Sequence, residues 1–504
     1  MHMKRRNFIR ATGLLPLLTG PLATKLAAHT VTTRESAADD EPAREFFYRP
    51  VGAWAADFIP LFAEGKFQLF FLLDWRDQER HGEGTPWYRL STTDLVHFEE
   101  HGQVLPRGTR QEQDLYVFTG SAIRAQGRYH IFYTGHNPHF GEQGKPEQGV
   151  MHAVSEDLQH WEKIPGDTFF APAGRYEPND WRDAFVFFND ETKEYNMLVA
   201  ARHTSGILRR RGLTALCTSK DLSHWEVRGD FYAPNLFFTH ECPDLFKMGD
   251  WWYLLFSEFT DLVATRYRMS RSLQGPWIIP PQDTFDGHAF YAAKTASNGK
   301  DRFIFGWNPT RSDNSDAGSW NWGGNLVVHQ LVQDDNGLLQ VRMPDSVAAA
   351  FTNNALTASS TRVLEGSGTF ATLVEGELPQ IAHLSATLQF DEHTRDFGCM
   401  LRSSDDLDKS YYLRFEPAHQ RLVFDKWPRQ AAEVSQAVEL ERAVSLRPNV
   451  PIHVQLIVDG NKGVVYVDDR VAMNFRIYDL KEGAWGWFVT DGRLTVSDAL
   501  ARTL

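Results

Sequence analysis

The chain has 504 residues, enough for two or three domains. With 42% hydrophobic and 13% aromatic residues and both charge signs spread along it, it is not a disordered chain. Its net charge of −13 argues against nucleic acid or an anionic membrane as the main partner, and three cysteines without CxxC spacing (Cys217, Cys242, Cys399) exclude a disulfide scaffold or a zinc cluster.

In chain order, the first feature is an address. Lys4-Arg5-Arg6-Asn7-Phe8-Ile9-Arg10 precedes the apolar stretch Ala11 to Leu26. A twin arginine before a modest apolar core reads as a Tat export signal over residues 1–28, with cleavage near Leu26-Ala27-Ala28. The run is too short and interrupted to span a membrane, so no membrane insertion of the mature chain is expected, and the protein is placed in the periplasm or outside the cell. Residues 29–44 are small, polar and acidic and read as a linker.

From 45 to 345 one pattern recurs: a charged or Gly-rich turn, then an aromatic strand. Its copies are Gly65-Lys66-Phe67-Gln68-Leu69-Phe70-Phe71, Gly127-Arg128-Tyr129-His130-Ile131-Phe132-Tyr133, Lys193-Glu194-Tyr195-Asn196-Met197-Leu198-Val199, Gly249-Asp250-Trp251-Trp252-Tyr253-Leu254-Leu255-Phe256 and Lys300-Asp301-Arg302-Phe303-Ile304-Phe305-Gly306. They lie about 50–65 residues apart, the spacing of propeller blades. A second repeat interleaves with the first: Ser91 to Glu99, Val154 to Glu162 and Thr218 to Glu226, with a degenerate copy at Ser270 to Trp277. Its Asp-Leu-x-His-aromatic core is expected between the third and fourth strands of a blade, with the His and aromatic side chains packing between blades. The predicted architecture is an all-β, five-bladed β-propeller. Its innermost strands would be Trp54 to Phe62, Val117 to Ile123, Trp181 to Phe188, Glu241 to Lys247 and Phe290 to Ser297.

Residues 346–360 read as a linker or crossing segment. From 361 to 504 short apolar/polar alternations predict a C-terminal antiparallel β-sandwich, with Asp459-Gly460 and Asp491-Gly492 as tight turns between strands. Covering an apolar face of the propeller is the simplest role for this domain.

Three inner strands begin at or near a carboxylate: Asp57, Asp183 and Glu241. Equivalent positions on successive inner strands converge at one mouth of the axial channel. Clustered carboxylates raise at least one pKa, giving an ionised nucleophile beside a protonated acid, the pair that glycoside hydrolysis uses. Each also has a structural reading: Asp57 satisfying backbone amides, Asp183 pairing with Arg182, Glu241 holding the turn before Pro243. Asp244 is read as structural.

The motifs resemble those of the β-fructosidases of glycoside hydrolase family 32, the invertases, levanases and inulinases. The acid/base motif stands intact as Glu241-Cys242-Pro243-Asp244. The Arg-Asp-Pro motif is present as Arg182-Asp183-Ala184, Phe-Ser-Gly-Ser as Phe118-Thr119-Gly120-Ser121, and the fifth-blade segment as Ala289-Phe290-Tyr291-Ala292. The nucleophile motif is reduced to Trp54-Ala55-Ala56-Asp57-Phe58-Ile59, and the family's next-strand glutamine and asparagine align with Leu72 and Asp74.

The resemblance implies a retaining glycosidase acting on an oligo- or polysaccharide without metal or cofactor. In it Asp57 is the nucleophile, Glu241 the acid/base and Asp183 the stabiliser of the transition state, with a gap of about 5–5.5 Å between Asp57 and Glu241. Arg182 orients a carboxylate, and Asp74 borders the sugar. Trp54, Trp87, Trp181 and Trp307 are candidates to stack on sugar or aglycone, with core packing the alternative for each. Two readings stay open beside β-fructofuranoside hydrolysis: another furanosidase such as an arabinofuranosidase, and a carbohydrate-binding protein without catalysis.

Overall fold

The computed structural model describes residues 46–358, 360–429 and 438–504. The export signal read over 1–28 and the linker read over 29–44 lie outside these residues. Among the described residues, no helix is long and apolar enough to cross a membrane.

Five antiparallel blades follow one another. Blade 1 consists of Trp54–Ala63, Lys66–Asp74, Trp87–Thr92 and Glu99–Leu105. Blade 2 is Tyr116–Ala125, Arg128–His136, Gln148–Ser155 and Glu162–Lys163. Blade 3 is Tyr176–Asn189, Glu194–His203, Gly212–Ser219 and Glu226–Tyr232. Blade 4 has Glu241–Met248, Trp251–Glu258 and Ala264–Ser270, its outer edge reduced to isolated bridges at Ile278 and Thr284. Blade 5 is Tyr291–Ser297, Arg302–Arg311, Trp320–Gln333 and Leu339–Arg342.

The first strand of each blade touches that of the next, and the first strand of blade 5 returns to that of blade 1. The ring is sealed at its seam by Trp320–Gln333 of blade 5, which pairs with blade 1 at Gly324 and Ala55. The chain leading into blade 1 reinforces that seam, where Leu326 N donates to Tyr48 O at 2.8 Å and Asn325 Nδ2 to Phe47 O at 2.8 Å.

Local sequence explains the hairpins. Glu64-Gly65 and Gln126-Gly127 adopt positive φ at both residues (56° and 75°; 50° and 86°), the two-residue turn whose twist matches paired strands. The aromatic strands that follow are the second strands of their blades and are almost wholly buried.

The Asp-Leu-x-His turns fall between third and fourth strands, but their histidines do not pack between blades. His97, His160 and His224 have side chains 84%, 87% and 90% exposed, each hydrogen-bonded through Nδ1 to its own turn's Asp94, Asp157 or Asp221. The same aspartates accept backbone amides two and three residues on, as at Gln159 and His160, while Leu95, Leu158 and Leu222 take the left-handed φ the turn requires. The tryptophans do bridge blades: Trp161 meets Phe70 of blade 1 and Trp225 meets Phe132 of blade 2, both edge to face.

The segment read as a linker over 346–360 is more ordered than that. Asp345–Ala349 is helical, and Asn353–Ala358 is a strand paired with Ala484–Thr503. Its small polar residues suit an edge strand, which needs no continuous apolar face. The second domain is the expected sandwich. Ala484–Thr503 is shared between its halves, pairing with Asp396–Ser403 early and with Ile381–Phe390 late. Leu384, Val454 and Leu456 from one half face Cys399, Leu413 and Trp487 from the other. Asp459-Gly460 does close a hairpin, whereas Asp491-Gly492 lies inside Ala484–Thr503 at an irregularity in its pairing.

The interface between domains is polar as well as apolar. Ile457, Val464 and Ala472 join the propeller core, but beside them Asp286 of the propeller is completely buried. It accepts from Asn474 N (2.8 Å) and Asn474 Nδ2 (2.6 Å), and pairs with His329 Nε2 (3.1 Å), whose Nδ1 meets Tyr466 OH. Arg476 donates to Asn308 O and Asn325 Oδ1, both at 2.8 Å. Removing Asp286 orphans several buried donors at once. Asp286→Ala is expected to cost about 3–5 kcal/mol of stability, read as a lowered midpoint in chemical denaturation.

Candidate active site

All five inner strands break register at one level: between Ala56 and Ile59, Phe118 and Gly120, Arg182 and Phe185, Glu241 and Asp244, and Tyr291 and Lys294. Such bulges re-aim side chains. Asp57, Asp183, Cys242 and Ala292 sit in them with φ of 47°, 58°, 52° and 50°. Left-handed backbone at a non-glycine residue costs about 1–2 kcal/mol, so four in register mark a site over-determined by its surroundings. The register also corrects the expectation of three equivalent acids. Asp57 and Asp183 are equivalent, but the residue matching them on blade 4 is Cys242. Glu241 stands one position earlier, level with Arg182 and Tyr291.

The structure brings the three acids into one electrostatic cluster. Asp57 is half-buried. Its Oδ2 accepts from Thr119 Oγ1 at 2.5 Å and its Oδ1 from Trp307 Nε1 at 3.0 Å. Burial pushes its pKa up to about 6; the Thr119 and Trp307 hydrogen bonds oppose this, and the nearby Asp183 and Glu241 charges add to it. Asp183 is 4% exposed. Its Oδ2 accepts from Cys242 N at 3.0 Å, and its own amide donates to Thr134 Oγ1 at 2.7 Å. Burial and the Glu241 charge raise its pKa against the pull of Arg182.

Glu241 is 3% exposed, with Oε2 accepting from Tyr291 OH at 2.7 Å and Oε1 from Arg182 Nη2 at 3.3 Å. Arg182 also donates to Asp180 and to Thr239 Oγ1 and stands 3.9 Å from Asp183. Burial disfavours its cation, but Asp180, Glu241 and Asp183 together hold it charged. Asp180 is pinned in turn by Arg202.

The tryptophan candidates separate. Trp307 is fully buried and donates to Asp57, so it holds a carboxylate rather than offering a stacking face. Trp87 is core, packed on Phe70 and Tyr133, and Trp181 is core, packed on Phe169 and Tyr176. Neither can stack on a sugar, because burial inside a blade leaves no free face. Trp54 is half-buried, and its ring is occupied by the guanidinium groups of Arg49 (4.7 Å) and Arg76 (4.6 Å). Asp74 lies opposite Trp54 in the strand pairing and accepts from Arg76 N at 2.8 Å, at the mouth. Sequence reasoning missed Thr119 and Tyr291 as site residues. Both lay inside motifs already singled out, Phe118-Thr119-Gly120-Ser121 and Ala289-Phe290-Tyr291-Ala292, but only the bulges show where their hydroxyls go. Among the described residues, no group of three or more His, Cys, Asp and Glu side chains could hold a metal ion.

The site is thus a cluster of three acids on the inner strands of a propeller that is followed by a sandwich, and comparison places this arrangement in a family. The family model described as the glycosyl hydrolases family 32 N-terminal domain matches residues 49–341, and the chain belongs to that family. It is 27% identical over 280 residues to the sucrose-6-phosphate hydrolase of Escherichia coli, covering 51% of this chain and 55% of that protein. It is 26% identical over 320 residues to the raffinose invertase of Escherichia coli, covering 58% and 63%. With the levanbiose-producing levanase of Bacillus subtilis it shares 26% over 259 residues, 49% of this chain and 45% of that one. The chain thus spans about half the length of the curated relatives it matches. Among solved structures, fructan 1-exohydrolase IIa from Cichorium intybus superposes with a TM-score of 0.73 at 16% identity, over 92% of this chain and 98% of that one. The sucrose-6-phosphate hydrolase from Lactobacillus gasseri gives 0.72 at 18%, over 93% and 94%. These likenesses extend the shared fold through the sandwich.

Proposed function

We propose that this protein is a retaining glycoside hydrolase that releases terminal β-fructofuranosyl units by double displacement. The observation that carries the reading is the paired setting of two carboxyl groups. Asp57 is held by two donors, which suits an anion that attacks. Glu241 accepts from Tyr291 and Arg182, lies within electrostatic reach of Asp57 and opens the intact acid/base motif Glu241-Cys242-Pro243-Asp244, which supports it as the group that gives up and regains a proton. In the first step the Asp57 carboxylate bonds to the anomeric carbon as the glycosidic C–O bond breaks, and the Glu241 proton goes to the leaving oxygen. In the second, Glu241 takes a proton from water, which displaces Asp57. Asp183 accepts hydrogen bonds from sugar hydroxyls and stabilises the oxocarbenium-like charge, with Arg182 keeping it anionic. Relatives named invertase, levanase and sucrose-6-phosphate hydrolase support the fructoside.

The glycone side is less furnished than the family pattern. Leu72, at the family's glutamine position, is 1% exposed in the core, and Ala55 and Ala56 are fully buried. This favours keeping another furanose, such as an arabinofuranoside, as a second reading. Incubation with sucrose, levan, inulin and aryl β-fructofuranosides and α-arabinofuranosides, with identification of the released sugar and its first-formed anomer, decides. Release of arabinose alone overturns the fructoside reading, and inversion of the anomer overturns the double displacement.

Asp57 must be ionised to attack, so kcat/KM is expected to fall about tenfold per pH unit below about 6, the value to which burial raises it. A pH–rate profile flat down to pH 4 shows that burial does not raise the Asp57 pKa, and the Asp57→Ala variant then decides whether it is the nucleophile. Export by the Tat route belongs to the same proposal, supported by the Arg5-Arg6 run. An Arg5→Lys, Arg6→Lys double variant should stay in the cytoplasm on cell fractionation.

A further inference from the structure

The site contains a second buried cation. Lys294 lies on the inner strand of blade 5, three residues after Tyr291, and is 2% exposed. Its ammonium donates to Pro243 O of blade 4 at 2.7 Å and stands 5.3 Å from the ring of Phe185 on blade 3. Lys294 and Phe185 are where pairing resumes after the bulges of blades 5 and 3, and Pro243 lies within that of blade 4. The side chain therefore reaches two other blades at the level just past the bulges. Among the described residues it has no salt-bridge partner. A buried ammonium with only a carbonyl and a ring beside it is costly unless anions close by compensate it.

Blade 1 brings Asp57. Blade 2 brings Thr119 and His136, the latter kept neutral near pH 7 because burial and Arg182 push its pKa down to about 4. Blade 3 brings Asp183, Arg182 and Asp180, and Asp180 is matched by Arg202. Blade 4 brings Glu241, the Cys242 thiol, which burial keeps protonated, and Asp244, which faces Arg302 and accepts from Thr295 N at 2.6 Å. Blade 5 brings Tyr291 and Lys294. Three carboxyl groups then remain against two cations, Arg182 and Lys294. In the state the first step needs, with the proton on Glu241, two carboxylates stand against two cations.

We propose that Lys294 is a positioning residue that closes the axial channel beneath the carboxylates and supplies the second positive charge, so that Asp57 and Asp183 are ionised together while Glu241 holds the proton. This rests on the acid and nucleophile roles assigned above. The ammonium acts in the required direction, drawing the Asp183 carboxyl down against its burial.

The test uses the full chain with Lys294→Met, Lys294→Gln and Lys294→Arg. Met keeps the length of the side chain, and Gln keeps a donor for Pro243 O, so charge and hydrogen bond are separated. Both neutral variants should move the acidic limb of kcat/KM upward by about one pH unit, which lowers kcat/KM about tenfold at pH 5 and about twofold at pH 7, with KM little changed. Lys294→Arg should retain the wild-type limb.

A second measurement does not depend on turnover. Without Lys294 the folded-state pKa of the buried carboxyls rises further, so stability is lost as pH rises through it. The gap in Tm between wild type and Lys294→Met should therefore widen from pH 5 to pH 8. A wild-type acidic limb in both neutral variants, with a Tm gap independent of pH, overturns the proposal and leaves Lys294 as core filler. If the wild type hydrolyses no furanoside, the functional reading fails, and the Tm comparison still decides the role of Lys294.

Discussion

Asp57→Ala is expected to lower kcat/KM on fructosides by at least about 10⁴-fold while the protein stays folded, because no other group can form the covalent intermediate. The neighbours explain why no substitute arises. Thr119 and Trp307 both point donors at the Asp57 oxygens, Asp183 is tied to the Cys242 amide, and Glu241 is engaged by Arg182 and Tyr291. Asp57→Asn adds a stability signature. The folded pKa of Asp57 is raised from 3.8 to about 6, so its ionised form destabilises the fold, and that cost appears as pH rises through this interval. A shift of this size corresponds to about 3 kcal/mol at pH 8. Part is offset because an amide receives the Thr119 and Trp307 donors less well, leaving a net gain of about 1–2 kcal/mol. The Asn variant should thus melt higher than wild type at pH 8 and no higher at pH 4. Turnover surviving in both variants would remove Asp57 from the chemistry and favour a carbohydrate-binding role or another nucleophile.

Glu241→Gln should separate the two halves of the reaction. The amide keeps one acceptor for Tyr291 or Arg182 but cannot donate a proton to a departing sugar. On sucrose-like substrates kcat is expected to drop about 10³–10⁴-fold, in the range for loss of general acid–base catalysis. With an aryl fructofuranoside, whose phenolate leaves unaided, formation of the intermediate should slow far less and its hydrolysis become rate-limiting. Azide should then speed turnover by attacking the intermediate without needing a base. Pre-steady-state release of phenol, with and without azide, measures this. Equal losses on both substrates and no azide effect would show that Glu241 is not the acid/base.

The two domains were not equally legible. Five turn-plus-aromatic-strand copies counted the blades, because each blade repeats the same demand for a buried second strand. The expected inner strands began within a residue of the observed ones on blades 1, 2, 4 and 5; on blade 3 the strand starts earlier, at Tyr176 rather than Trp181. The Asn353–Ala358 strand was not legible, since an edge strand of small polar residues has the composition of a linker. Asp491-Gly492 misled in the opposite direction: its left-handed backbone serves a pairing irregularity within one long strand.

At the site, motif order picked out Asp57, Asp183 and Glu241, but composition could not rank the tryptophans. Trp87 and Trp307 are equally buried, yet one fills a blade core and the other holds Asp57. The histidines of the Asp-Leu-x-His turns show the same limit, because an aspartate three residues away captures them before any neighbouring blade can.

The sequence by itself determined that the first domain is a ring of five β blades, that a sandwich follows, and that three acids lead inner strands, because these follow from local periodicity and motif spacing. Only the tertiary structure decided that Cys242 and not Glu241 matches Asp57 and Asp183, that Thr119, Trp307 and Tyr291 hold the carboxylates, and that Lys294 lies beneath them. The placing of Cys242 and Thr119 depends on one-residue bulges that turn side chains about their strands, and that of Trp307, Tyr291 and Lys294 on blades far apart in sequence meeting at the axis, neither of which a spacing rule can register.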